Sequence, residues 1–383
     1  MYKKLRQIWP LALSATIGFI LAVALFIPKA YSSNQNVYRV IKERINVLNQ
    51  IIGYVNHFYF DAVDMAKVMD GAFHGLMEEL DPHSTYIPAE DQENISELFK
   101  GNFQGIGIEF DILEGFITVI SPVPDSPSEI VGLMPGDKII AINGEDAYKI
   151  TKTEVFEKLR GKKGTKVTVT IGRIGSSKPF DVTIIRDNIP IYSVGAATMI
   201  DEITGYIFLR RFSATTEKEV VKAIDTLLAQ GMQRLLFDLR GNSGGLLEQA
   251  AAISDQFITT SDTLVYTKGK IKESDQTFIG SANKGNNSFS LIVLINRGSA
   301  SASEIVSGAI QDLDRGLVIG ETSFGKGLVQ RQLPLNTGAA IRVTIARYYT
   351  PSGRLIQRPY EDGSDLAYYR ELYEVDRESK IDS

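Results

Sequence analysis

The 383-residue chain has no cysteine, one tryptophan and three histidines, His57, His74 and His83. Without cysteine there are no disulfides, no thiolate nucleophile and no cysteine-based zinc site. All three histidines lie in the first quarter, and none falls within 200 residues of the serine-rich turn at Ser299–Ser303. Excess positive charge is missing too: 41 Lys and Arg face 46 Asp and Glu, a net charge of −5, so there is no electrostatic footprint for nucleic acid. Hydrophobic content of 44% and charged content of 23% are ordinary for a globular chain of two or three domains.

One long apolar run is present. Ile8 to Ile27 carries no charge and follows Lys3, Lys4 and Arg6. Twenty such residues span a bilayer with the basic flank on the cytoplasmic side. A cleaved signal has the same layout, but the run is long for one and Pro28-Lys29-Ala30 is a poor cleavage site. The expectation is a single N-terminal anchor (residues 1–33) in a bacterial inner membrane, with the rest of the chain in the periplasm. Cleavage would give a secreted form.

Residues 34–100 read as helical, from the spacing of Val40, Ile41, Ile45, Leu48, Ile51 and Ile52 and a similar pattern over 66–80. An amphipathic pair this long needs a surface to cover, which suggests a homodimer or larger assembly through these helices. The turn LDPHSTYIP follows, with His83 read as a turn residue rather than a base. From Gly101 to Arg186 short strands punctuated by glycine and proline define a small β-rich domain. From 187 to 360 strands and helices alternate, which predicts an α/β core. A charged tail, 361–383, closes the chain. The fold class is mixed α/β, in several domains.

The stretch INRGSASASEI, Ile295 to Ile305, places three serines where an apolar strand turns into a helix. Helix caps explain such serines by themselves, but acyl transfer requires the same place, with helix-start amides facing a developing oxyanion. A serine nucleophile needs a base, and histidine is far away in sequence. A lysine serves if burial keeps its amine neutral. Lys326, flanked by Gly325 and Gly327 in SFGKGLVQ, is the candidate; Gln330, four residues on, shares a strand face with it and is placed to orient the amine. No metal or cofactor is implied.

QGIGIEF and GLMPGDKIIAINGEDA together resemble a PDZ domain, with Gln104, Gly105, Ile106, Gly107 and Ile108 as the loop and strand that would take a peptide C-terminus by strand addition. SASASE, FGKGxxQ and DLRxNxGG, in this chain's order behind LDPHS, resemble the carboxyl-terminal processing (tail-specific) serine proteases from about Val37 to Pro359. The resemblance implies a protease core of the family's ββα type, with Ser301 as nucleophile, Lys326 as general base and Gln330 as third member. It also implies an oxyanion hole from the amides of Gly245 and Ala302, and protein substrates with apolar C-termini. Ser299 and Ser303 are read as turn and cap residues, and Ser243 stands where many relatives carry glycine. LRGKKGT matches a PDZ loop whose arginine can face the protease core, which makes Arg160 a regulatory candidate. Two other readings compete: a catalytically silent PDZ tether, and a Ser-Lys amidase that would leave the PDZ-like domain idle.

Overall fold

The computed structural model describes residues 36–282 and 288–360. The apolar run Ile8–Ile27 and the tail 361–383 lie outside the described residues. Among the described residues no helix is long and apolar enough to cross a membrane.

The chain forms two units, residues 1–73 and 74–383. In the first, helix α1 (36–58) carries exposed Val40, Ile41, Ile45, Leu48 and Ile51. Helix α2 (Met65–Glu78) runs across the boundary. Within the segment expected to be helical, the chain then makes a strand, β1 (Thr85–Ile87), before α3 (Ala89–Lys100). A lone three-residue strand leaves no periodicity to read, and its partner lies some 250 residues away. Gly101, in the left-handed region at φ 74°, ends α3, and a Cβ there would fall 2.8 Å from Thr215 Oγ1.

The β-rich domain is next. It contains β2 (Asn102–Gly105), β3 (Ile108–Leu113), β4 (Phe116–Pro122), the short α4 (Pro127–Ile130), β5 (Lys138–Ile142), β6 (Glu145–Asp146), α5 (Lys152–Leu159), β7 (Lys166–Gly172), β8 (Phe180–Ile185) and β9 (Asp187–Pro190). Its sheet is antiparallel in the order β3-β4-β5-β7-β8, with β6 on β5, so β3 is an edge strand. In β7, KVTVTIG, Val167, Val169 and Ile171 are fully buried while the threonines between them face outward, the alternation of a half-buried strand. The GLMPGD turn is fixed by buried Asp137, which accepts from the Met134 amide at 2.9 Å and from Arg173 through two contacts of 2.7 Å. Helix α5 starts with a capping box between Thr151 and Glu154. Strands β2 and β9 pair antiparallel and clasp the ends of the domain.

The larger core follows: β10 (Val194–Met199), β11 (Thr204–Leu209), α6 (Thr216–Ala229), β12 (Arg234–Asp238), α7 (Leu247–Phe257), β13 (Thr263–Gly269), β14 (Thr277–Ile279), β15 (Ser290–Ile295), α8 (Ala302–Asp312), β16 (Leu317–Gly320), β17 (Leu328–Pro334) and β18 (Ala340–Tyr349). One sheet has the order β10-β11-β12-β15-β16 and is parallel from β11 onward. The other is antiparallel, β1-β18-β13-β14 with β17 on β18. A single core joins both sheets and the helices, with Val220 of α6, Phe237 of β12, Phe257 of α7, Val293 of β15, Val306 of α8 and Tyr348 of β18 packed together. Each such side chain contributes about 1.5–3 kcal/mol by leaving water. The α/β alternation predicted from Asn188 onward is present, with an added antiparallel sheet that also recruits β1.

Candidate active site

Strand β15 runs parallel between β12 and β16, so the chain leaves it at the carboxyl edge of the sheet, where open α/β sheets bind ligands. The turn ends at Ser301, whose φ of 54° and ψ of −110° are strained for an L-residue. That strain, about 1–3 kcal/mol, is offset by the neighbouring serines. Ser299 Oγ donates to Leu239 O at 2.8 Å and accepts from the Asn296 amide at 2.9 Å, and Ser303 Oγ donates to Asn242 O at 2.8 Å. Both serines are wholly buried. They were expected as turn and cap residues; their bonds in fact lash the turn to the loop after β12.

That loop carries RGNSGG. Asn242, also fully buried, donates to Leu209 O at 2.9 Å and accepts from the Gly244 amide at 2.9 Å. A Cβ on Gly244, at φ 100°, would stand 2.9 Å from Ser301 Cβ and 3.0 Å from the Ala302 amide nitrogen. A Cβ on Gly245, at φ 148°, would come within 2.0 Å of Phe212 O. Only glycine lets the two loops approach so closely. The amides of Gly245 and Ala302 make no hydrogen bond among the described residues. Ala302 is the first residue of α8, where the helix dipole is positive.

Lys326 arrives from the antiparallel sheet, just before β17. Its Nζ donates to Gln330 Oε1 at 2.7 Å, and Gln330 Nε2 donates in turn to the carbonyl of His83. The register of β17 against β18 shifts between Val329 and Gln330, where Ile345 of β18 is the extra residue, so the bulge lies on β18 opposite the strand that carries Gln330. Burial, aided by the positive charge of Arg342, lowers the Lys326 pKa to about 8, while Asp81 and Glu304 oppose the shift. His83 is pushed down to about 4 by burial and by Lys326, so its ring is neutral near pH 7.

Two residues that sequence reasoning missed hold the halves together. Buried Glu304 accepts from the Ser301 amide at 2.7 Å, the Lys326 amide at 2.9 Å, the Gly325 amide at 2.6 Å and Ser323 Oγ at 2.7 Å. Burial raises its pKa against those four donors. The Tyr348 hydroxyl, fully buried, lies 2.5 Å from Lys326 O and 3.1 Å from Ser301 O. Glu304 had a signal, its place three residues after Ser301 at a helix start. Tyr348 had none, being one aromatic in a strand.

Ser301, Lys326, Gln330 and Gly245 line one cleft of about 1050 Å³, floored by Leu246, Ile305 and Leu328. Among the described residues no cluster of acidic and histidine side chains suited to a metal ion occurs. The PDZ-like segment lies elsewhere: Gln104 and Gly105 are in β2, paired with β9, and Ile108 opens the edge strand β3. Gly107, at φ 80°, accepts from Ser126 Oγ at 3.0 Å. Phe110 of β3 meets Phe156 of α5 edge-on, with ring centroids 5.5 Å apart. Arg160 contacts α3: its Nη1 donates to Glu97 at 2.7 Å and Asn94 at 3.1 Å, and its guanidinium lies over the rings of Phe103 and Phe156.

A peptide-binding type of β domain joined to an α/β core with a strained serine turn is the build of a modular serine peptidase. The Peptidase family S41 signature covers residues 203–362 and that of the PDZ domain residues 96–172. A carboxy-terminal-processing protease of Bartonella bacilliformis is 37% identical over 330 residues, 85% of this chain and 74% of the relative. The carboxy-terminal processing protease CtpA of Bacillus subtilis is 34% identical over 316 residues, 82% of this chain and 67% of its own. Among solved structures, a photosystem II D1 C-terminal processing protease aligns with a TM-score of 0.43 at 27% identity, over 79% of this chain and 82% of that one. The chain belongs to the carboxy-terminal processing serine proteases of peptidase family S41.

Proposed function

We propose that this protease cleaves extracytoplasmic proteins selected by their C-termini, through Ser301, Lys326 and Gln330. The observation that carries the reading is the convergence in one cleft of a serine at a strained helix start and a lysine whose burial keeps its amine easy to deprotonate. Ser301 Oγ attacks the scissile carbonyl carbon while Lys326 Nζ takes its proton. The carbonyl oxygen gathers negative charge, and the unengaged amides of Gly245 and Ala302 donate to it. Lys326 then gives its proton to the departing amine, leaving an ester on Ser301. Water, deprotonated by Lys326, hydrolyses that ester and restores both groups. Gln330 Oε1 holds the amine throughout.

The segment Gln104–Ile108 is the receptor for the substrate's C-terminus, with its carboxylate at the glycine loop and its last residues added along the free edge of β3. Apolar final residues suit the Phe110–Phe156 pair between β3 and α5. Arg160 relays occupancy of that groove through Glu97 to α3, whose Gln92 bonds Gln332 of β17 at 2.9 Å. The charge pattern around Ile8–Ile27 supports a single-pass anchor in a bacterial inner membrane and a periplasmic catalytic domain. The apolar residues of α1 suit self-association.

The test is cleavage of an unfolded protein with an apolar C-terminus by the full chain, beside Ser301→Ala and Lys326→Ala. Loss of cleavage in both folded variants is expected. Cleavage that persists in either overturns the mechanism, and an inert wild type that still binds the C-terminal peptide would favour the tether instead.

A further inference from the structure

The turn Asp81–Ser84 is far from the serine in sequence, yet it supplies the third contact of the Lys326–Gln330 pair. A glutamine amide has two unlike ends, an acceptor oxygen and a donor NH2, and a half-turn exchanges them. Only one orientation serves a lysine, with Oε1 toward Nζ. The His83 carbonyl can only accept, so it takes Nε2 and leaves Oε1 for Lys326. The reverse orientation would set two oxygens face to face and the NH2 against the amine.

The position of that carbonyl is set by Asp81. Its Oδ1 accepts from the His83 and Ser84 amides, both at 2.9 Å, and its Oδ2 accepts from Ser84 Oγ at 2.7 Å. The aspartate thus closes a turn on its own side chain, and both Asp81 and Ser84 are buried. The turn is also fixed to the strand opposite Gln330. Thr344, the register partner of Gln330, donates through Oγ1 to Asp81 at 3.2 Å and through its amide to Ser84 Oγ at 3.2 Å. Two residues further, Thr85 pairs with Arg342 as β1 joins the sheet. Turn and glutamine are held in one frame, an arrangement more specific than packing requires.

We propose that Asp81 is a positioning residue of the catalytic base, acting through the His83 carbonyl and the Gln330 amide on Lys326. The inference rests on the reading of Ser301, Lys326 and Gln330 given above. Asp81 touches no substrate; it selects the amide orientation that aims the amine.

The experiment compares Asp81→Ala and Asp81→Asn in the full chain, in the wild-type and Gln330→Ala backgrounds, with Ser301→Ala and Lys326→Ala alongside. Misplacement of a reacting group by ~1 Å costs about 100-fold, and a slack turn should cost less. Asp81→Ala is expected to lower kcat roughly 30-fold with KM within about twofold. Asp81→Asn keeps an oxygen for the two amides, so its kcat should stay within about threefold of wild type. Its acid limb should move to lower pH, because a charge favouring the ammonium form is gone. In Gln330→Ala, adding Asp81→Ala should cost less than about threefold, since the amide it orients is absent. Equal damage from Ala and Asn, unchanged kcat in Asp81→Ala, or full multiplication with Gln330→Ala would each overturn the proposal. Activity surviving in Ser301→Ala or Lys326→Ala would instead refute the underlying site. If Asp81→Ala does not fold by circular dichroism, Ser84→Ala, which removes the Oδ2 contact and the bond from the Thr344 amide, takes its place in both backgrounds.

Discussion

Replacing Lys326 by methionine should make the protein more stable at neutral pH while abolishing catalysis. The side chain has an ordinary pKa of 10.5 and is lowered to about 8 in the fold. Below pH 8 the amine is charged in both folded and unfolded chains, and the folded chain bears the whole desolvation penalty. As pH rises from 8 to 10.5 the folded amine is already neutral while the unfolded one still binds a proton, so folding grows more favourable. At about 1.4 kcal/mol per tenfold, the penalty is ~3 kcal/mol at pH 7 and ~1.4 kcal/mol at pH 9.5. Methionine removes it, but leaves Gln330 Oε1 without its partner at a cost of about 1 kcal/mol. The variant should thus gain ~2 kcal/mol at pH 7 and almost nothing at pH 9.5. The comparison is Ser301→Ala against Ser301→Ala/Lys326→Met, which prevents self-digestion, by urea unfolding followed through far-UV circular dichroism. An advantage that does not change with pH, or a loss at pH 7, would refute the claim that a buried, easily neutralised lysine sits in this cleft.

Three further outcomes are expected. The rate kcat/KM should rise with pH to half-maximum near 8 and show no limb near 6.5, since His83 is already neutral; Arg342→Met, which removes a repelling cation, should move that limb to higher pH. Glu304→Gln should lower kcat about 100-fold and stability by roughly 1–3 kcal/mol, because one of its oxygens becomes a donor facing amides and a hydroxyl that also donate. Gly245→Ala should leave little activity or folded protein, since a methyl group cannot occupy a point 2.0 Å from Phe212 O; peptide binding by the PDZ domain, measured separately, should survive.

Local patterns told much of this fold directly. The alternation in KVTVTI and the helical spacing in TEKEVVKAIDTLLA are each written in one short segment, and β7 and α6 follow them. The serine turn and the glycines beside Lys326 were legible because a tight turn and a close approach demand small residues whatever lies around them. The absence of cysteine and the sequence distance of every histidine turned attention to lysine, and the family resemblance singled out Lys326; only the fold shows that His83 does come beside it, through its backbone carbonyl. Tertiary structure decided what those residues lean on. Strand β1 exists only because β18 offers an edge to it, and the carbonyl that holds the Gln330 amide beside the lysine belongs to His83, 247 residues earlier. Glu304, Tyr348 and Asp81 each bond a partner far along the chain, 22, 47 and 263 residues away. Arg160 meets α3 because Glu97 and Asn94 stand there, a contact its own loop does not announce. Sequence periodicity records the face a side chain turns inward; the group it meets there is set only when distant segments pack, and the pKa of Lys326 depends on that meeting.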